Sequence, residues 1–229
     1  LPISASPFAL ERWAAFFANF GQFAKGFFYT LGISIGALIV ALLLGLIFGA
    51  MSSTHNKVLR GIARVYVEIF QNTPLLVQFV VVFYGISILT DGHVMIPISL
   101  TAILCVGVYT GAYISEIIRT GIEAVPKGQT EAALSQGFTY SDTMRIIILP
   151  QAVRTILPPL TNQVVNLIKN TSTVAIISGA DIMFTAKAWA YDTTNYVPAF
   201  AGAALLYFIM CFPLATWARR KEEENKKAY

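Results

Sequence analysis

Charge is what this chain has least of. Only 12% of its 229 residues are Asp, Glu, Lys or Arg, against roughly 25% in ordinary soluble domains. Hydrophobic residues make up 56%, and the mean hydropathy is +0.65, an excess that one soluble core does not absorb. After Lys25 no charge appears through Met51, a run long enough to cross a bilayer, which takes about 20 apolar residues. The chain reads as an integral membrane protein. Cysteine is almost absent too: Cys105 and Cys211 both fall inside apolar runs and read as small buried hydrophobes rather than a disulfide or a metal site. The two histidines, His55 and His93, sit in opposite loops, expected to be solvent-exposed and too far apart to pair. With no nucleophile beside a base and no clustered ligands, the sequence offers no catalytic residue and no metal site. The chain also lacks G-x-x-x-x-G-K-[ST], so it has no backbone cradle for nucleotide phosphates. Its pI of 9.1 comes from cations at the ends of apolar segments, with no basic patch interleaved with aromatics, and calls for no nucleic acid.

Five segments qualify as spans by length and polarity: about 27–50, 66–89, 96–118, 148–168 and 199–218. The run "NTSTVAIISGADIMFTA" after the fourth is too short and polar for a sixth and is expected to dip into the interface. Lys57, Arg60, Arg64, Arg119, Lys127, Arg145 and the cations of the tail fall on one side, Arg12, Lys25, Lys169 and Lys187 on the other. The positive-inside rule then puts the N-terminus outside and the C-terminus in the cytoplasm. Three regions follow: residues 1–25, a surface-lying amphipathic segment carrying Trp13; residues 26–218, the transmembrane domain; and residues 219–229, a solvated tail that mixes signs.

The loop between the third and fourth spans, about 119–147, contains "EAALSQG" at 131–137. Pro126 suits a helix start, where a missing N–H costs nothing. Gly137 suits a helix end, where a left-handed residue is needed. The small side chains between them leave a short helix that another surface can approach closely. Just before it, Glu116 and Arg119 lie one turn apart and are expected to pair.

Glu131, Ala132, Ala133, Gly137, Ile147, Leu149 and Pro150 reproduce the pattern EAA-x3-G-x9-I-x-L-P. This long pattern resembles the signature loop of permease subunits of bacterial ABC importers. "TGAYISEIIRTGIEAVPKGQTEAA", "LPQAVRTILPPLTNQ", "NTPLLVQ" and "KNTS" extend the resemblance to the polar amino acid branch, of the histidine, glutamine and arginine type, from about Gly26 to Trp217. The resemblance implies the all-helical type I importer fold with five transmembrane helices and a short cytosolic coupling helix. It implies that Glu131, Ala132, Ala133 and Gly137 couple the chain to a separate ATPase subunit. It also implies a second permease, identical or homologous, an extracytoplasmic substrate-binding protein or domain, and residence in the bacterial plasma membrane. No cofactor is expected on this chain; ATP and Mg belong to the partner ATPase. "LSQGF" at 134–138 faintly echoes an ABC ATPase signature, but without the phosphate loop it carries no nucleotide site.

The fourth span holds Pro158 and Pro159 in its middle, expected to kink the helix and free carbonyls near Arg154 and Thr155. Arg154, Pro158, Asn162 and Asn166 recur every four residues, flanked by Gln163. Together with Thr73 and Gln78 of the second span, Arg154, Asn162, Gln163 and Asn166 are the candidates for a polar path, although such side chains also serve as interhelical hydrogen-bond glue. The family commonly has Arg where Gln71 stands, and some cation-selecting members have an acid where Gln163 stands. A neutral Gln163 points toward a neutral or acidic amino acid. The rival class is a secondary transporter driven by an ion gradient, which would place ionisable residues deep in the spans and often show an inverted repeat. One deep arginine and no repeat argue against it.

Overall fold

The computed structural model describes Ser6 and residues 8–227, without the side chains of residues 222 and 224–227. Among the described residues there is no strand. The helices are α1 Leu10–Ala18, α2 Phe20–Ser52, α3 Lys57–Gln71, α4 Leu75–Val80, α5 Ile86–Leu89, α6 Ile98–Glu123, α7 Lys127–Ser135, α8 Tyr140–Asp142, α9 Leu149–Asn170, α10 Ile182–Thr193 and α11 Tyr196–Lys227. Wider π turns at Val81–Gly85 and Thr143–Ile148 join α4 to α5 and α8 to α9, and a 3₁₀ turn spans Thr171–Ile177.

Three helices are long and apolar enough to cross a membrane: α2, α6, and α11 as far as Lys221. α3 and Leu75–Leu89 pass the same length and composition test only as a pair, as a broken span or a re-entrant loop. α9, at 22 residues, is about 33 Å long at 1.5 Å per residue, enough for a hydrocarbon core of about 30 Å. Its Gln151, Arg154, Asn162, Gln163 and Asn166 keep its composition polar.

One expectation needs correcting. The second span is not one helix over 66–89. The chain is helical from Lys57 and breaks at Asn72–Pro74. Pro74 has no N–H and disfavours helical geometry in Thr73, while two side chains take over the last carbonyls of α3. Asn72 Nδ2 donates to Glu68 O at 2.8 Å and Thr73 Oγ1 to Ile69 O at 2.8 Å. In the fourth span α9 is helical through Pro158 and Pro159, whose nitrogens donate no hydrogen bond, so the carbonyls of Arg154 and Thr155 lose their helical donors. The tail through Lys227 continues α11, and its last two residues lie outside the described set, as do residues 1–5 and 7 of the N-terminal segment.

The chain divides into two compact units. The first comprises the chain through Leu38, Pro74–Gly107 and Asn166–Pro213. Its core is aromatic: Phe16, Phe23 and Trp189 meet edge to face, with centroids 4.8 to 6.0 Å apart, among Ile168, Ile182, Leu206 and Met210. The N-terminal helix is therefore anchored as well as amphipathic. Its Arg12 is buried and donates to Asn195 Oδ1 at 2.8 Å and Thr194 O at 3.0 Å. Asp181, 1% exposed, caps α10 by accepting from Phe184 N at 3.0 Å and Met183 N at 3.2 Å. Burial pushes its carboxyl up to about 6, against the backbone donors that pull it down. Ile182 N donates to Thr30 Oγ1 at 3.2 Å, so the segment after α9 is tied to α2, and α4 packs on the 3₁₀ turn.

The second unit comprises Ile39–Thr73, Val108–Val165 and the chain from Leu214. Here α2 and α6 touch through glycine. A Cβ on Gly45 would lie 2.4 Å from Ile114 Cγ2, and one on Gly49 would lie 2.8 Å from Ile118 Cβ. Tyr66 of α3 stacks on Phe48 with centroids 4.0 Å apart and donates to Val108 O at 2.7 Å. Ile156 of α9 seats against Gly121 of α6, whose hydrogen leaves room that a methyl would not.

Candidate functional site

α7 is built as its termini foretell. Pro126 is its N-cap residue, and Gly137 stands at φ +87°. Phe138 N donates to Ala133 O at 3.1 Å and Gly137 N to Leu134 O at 3.1 Å, the paired bonds of a Schellman closure. Ser135 Oγ takes a further carbonyl, Glu131 O, at 2.7 Å. Ala133 is 3% exposed, on a helix packed against the π turn Thr143–Ile148. Glu131, Ala132 and Gly137 face outward, and Leu134 and Phe138 stand 47% and 37% exposed beside them. The four residues of the motif thus divide: Ala133 seats the helix, Gly137 ends it, and Glu131 with Ala132 forms its outer face. Beyond it Thr139 caps α8 by accepting from Asp142 N at 3.2 Å, and exposed His55 meets Tyr140 edge to face at 4.9 Å.

Along α9, Arg154, Asn162 and Asn166 are exposed and Gln163 half-buried, whereas Ala152, Ile156, Val165, Leu167 and Ile168 are buried. The four-residue spacing therefore produces a polar outer face on a helix whose other side is packed. Arg154 has no acid partner among the described residues; Glu116 is instead held by Arg119, whose Nε donates to Glu116 Oε2 at 3.0 Å while its other nitrogens engage Glu116 and Glu123. Thr73 belongs to the helix break, and Gln78 is half-buried on α4. Among the described residues no three His, Cys, Asp or Glu side chains come together as a metal site.

One feature was missed in the sequence. A cavity of about 700 Å³ opens between α3 and the end of α6, walled by Lys57, Arg60, Arg64, Glu68, Glu116 and Arg119, with Gln71 and Asn72 also on its lining. The signal was present as charge at positions 57, 60, 64 and 68, one face of a helix, but the cations were counted only as markers of orientation.

The sequence model of the binding-protein-dependent transport system inner membrane components matches residues 41–222. The chain belongs to this family. Over 216 residues it is 38% identical to the probable glutamine ABC transporter permease protein GlnM of Bacillus subtilis (strain 168), covering 93% of this chain and 97% of GlnM. It is 35% identical to the glutamate/aspartate import permease protein GltJ of Escherichia coli (strain K12), over 74% of this chain and 76% of GltJ. A crystal structure of an amino acid ABC transporter with histidines superposes with a TM-score of 0.85 at 31% identity, covering 93% of this chain and 98% of that one. The inward-facing MetNI methionine ABC transporter shares the fold, with a TM-score of 0.69 at 17% identity, over 89% of this chain and 98% of that one. The fold is that of a type I ABC importer permease. An inner membrane component of this family is a transport subunit, and ATP hydrolysis is carried by separate ATPase subunits.

Proposed function

We propose that this inner membrane component carries polar amino acids, neutral or acidic and glutamine first among them, into the cell, driven by a separate ATPase through α7. The observation that carries the coupling role is the construction of α7. A nine-residue helix opened by a proline, closed at its C-terminal end by Gly137 and seated by a buried alanine presents one acid, Glu131, with exposed Leu134 and Phe138 to a partner. An apolar patch beside a charge on a small-residue helix suits a groove on another subunit. The names of GlnM and GltJ support an amino acid as cargo, and the neutral Gln163 favours an uncharged or acidic side chain.

In this reading two permeases, identical or homologous, enclose the path, with the polar outer face of α9 and with Thr73 and Gln78 turned toward it. Asn and Gln amides offer both donors and acceptors to a zwitterion, and Arg154 adds a cation along the path. A binding protein delivers the solute from outside, where the N-terminus lies, and α7 meets the ATPase in the cytoplasm of a bacterial cell. Closure of the ATPase pair on ATP and Mg draws the two α7 helices together and opens the path outward; hydrolysis resets it. Uptake into proteoliposomes holding the whole complex tests this. Glutamine accumulation that needs ATP, and that falls at least tenfold in Glu131→Lys while the complex stays monodisperse, is expected. Accumulation driven by an ion gradient without ATP would overturn it.

A further inference from the structure

We infer that the cavity between α3 and α6 holds the carboxylate of a small solute, bound by Lys57 and Arg60. The inference rests on the amino acid importer reading above and assigns the carboxylate a place in it.

The charges of the cavity are not balanced. Four cations line it, Lys57, Arg60, Arg64 and Arg119, against three carboxylates, Glu68, Glu116 and Glu123. The carboxylates are all engaged: Arg64 Nε donates to Glu68 at 3.0 Å, and Arg119 spans Glu116 and Glu123. Lys57 and Arg60 are left without an acid among the described residues. They lie three apart at the start of α3, on one face of the helix. A cavity of this size is within the range of small-molecule sites, and its groups outside ion pairs are both cations, so the ligand it favours is an anion.

The geometry of α3 separates a solute carboxylate from a lipid phosphate. At about 100° per residue the helix has three sides. Ala63 and Tyr66 are buried. Val58, Ile62, Val65 and Ile69 form an exposed apolar stripe. Lys57, Arg60 and Arg64 lie roughly 140° around from that stripe, on the cavity wall. A helix bound to a lipid surface sets its cations at the border of its apolar stripe, where headgroups meet chains. Here the cations turn away from the stripe.

The test measures binding to the purified permease–ATPase complex in nanodiscs of neutral lipid. The probes are L-glutamine, L-glutamate and 4-aminobutanamide, which keeps the amine and amide of glutamine and lacks its α-carboxylate. Glutamine and glutamate are expected to bind, the decarboxylated compound at least tenfold more weakly, and Lys57→Gln with Arg60→Gln to weaken glutamine at least tenfold. Lys57→Arg with Arg60→Lys keeps the charges and should stay within threefold. Binding to the unaltered complex should also weaken several-fold between low and high salt, a readout that needs no variant. Equal binding of the decarboxylated probe, no change in the neutral pair, or competition by phosphatidylglycerol but not by free amino acid would each overturn the inference. If ATP-driven uptake is intact while the cavity binds no carboxylate, only this inference fails. If no amino acid is pumped at all, the functional reading fails.

Discussion

The hydroxyl of Tyr207 donates to the carboxylate of Asp181 at 3.2 Å, so a buried acid ties the start of α10 to the middle of α11. Asp181 is also the N-cap of α10, and one side chain serves both helices. Burial raises its carboxyl from the ordinary 3.8 to about 6. Below about pH 4 the folded and unfolded chains both carry the proton. Between about 4 and 6 only the folded chain does, so stability falls as pH rises through that window and levels off above it. The span corresponds to a loss on the order of 2–3 kcal/mol. Asp181→Asn keeps an oxygen for the Phe184 amide and removes the titration. Thermal unfolding in detergent from pH 4.5 to 7.5 should therefore lose its downward slope in Asp181→Asn. An unchanged slope would assign the effect to another group.

Gly45 and Gly32 occupy the same helix in opposite circumstances. A methyl on Gly45 meets Ile114 Cβ at 2.6 Å, and one on Gly32 meets nothing within 4 Å. The Cβ of a helical residue does not swing aside, so α2 and α6 have to separate. Gly45→Ala should cost about 1–3 kcal/mol. Gly32→Ala should be neutral or stabilise by about 0.5–1 kcal/mol. Paired unfolding curves of the two variants decide the point, and equal midpoints would contradict it.

Gly137 holds φ at +87°, which a side chain resists by about 1–2 kcal/mol. Gly137→Ala should loosen the closure of α7 before anything else. Hydrogen exchange at the Phe138 amide, whose bond to Ala133 O closes the helix, should quicken about tenfold or more. Gly128→Ala, on the open first turn of α7, should leave that amide unchanged.

Asn195→Ala removes the acceptor 2.8 Å from the buried Arg12 guanidinium and should cost about 1–3 kcal/mol, since a charged donor loses one of its acceptors away from water and keeps Thr194 O. Limited proteolysis should then cut within α1 earlier than in the unaltered protein, while α7 resists equally in both. Equal resistance of α1 would mean that its aromatic packing alone holds it.

The parts legible in advance were those written in short range. Pro126 and Gly137 bound α7, and Glu116 meets Arg119 three residues on, because such features depend on neighbours along the chain. The limits of the second span were not legible. Hydropathy averaged over a window sees Leu75, Leu76 and Val77 and passes over Pro74, whereas backbone geometry is decided at that one residue. Arg12 counted in the sequence only as a marker of orientation, and its acceptor stands 183 positions away at Asn195, a distance no local pattern spans. Pro158 and Pro159 were legible as well, since a missing N–H is a property of the residue itself, and α9 carries both inside it.

The seating of Ile156 against Gly121 gives α9 a fulcrum. α7 rests on the π turn that ends at Ile148, eight residues before Ile156; Asn162 lies six residues beyond. At 1.5 Å per residue the two arms measure roughly 12 and 9 Å. A sideways displacement delivered at the turn reappears at Asn162 in the opposite sense and about three-quarters as large. Pro158 and Pro159 sit on the short arm, where two absent hydrogen bonds lend it some bend. Motion entering at one end of this rod leaves the other reversed, as on a seesaw.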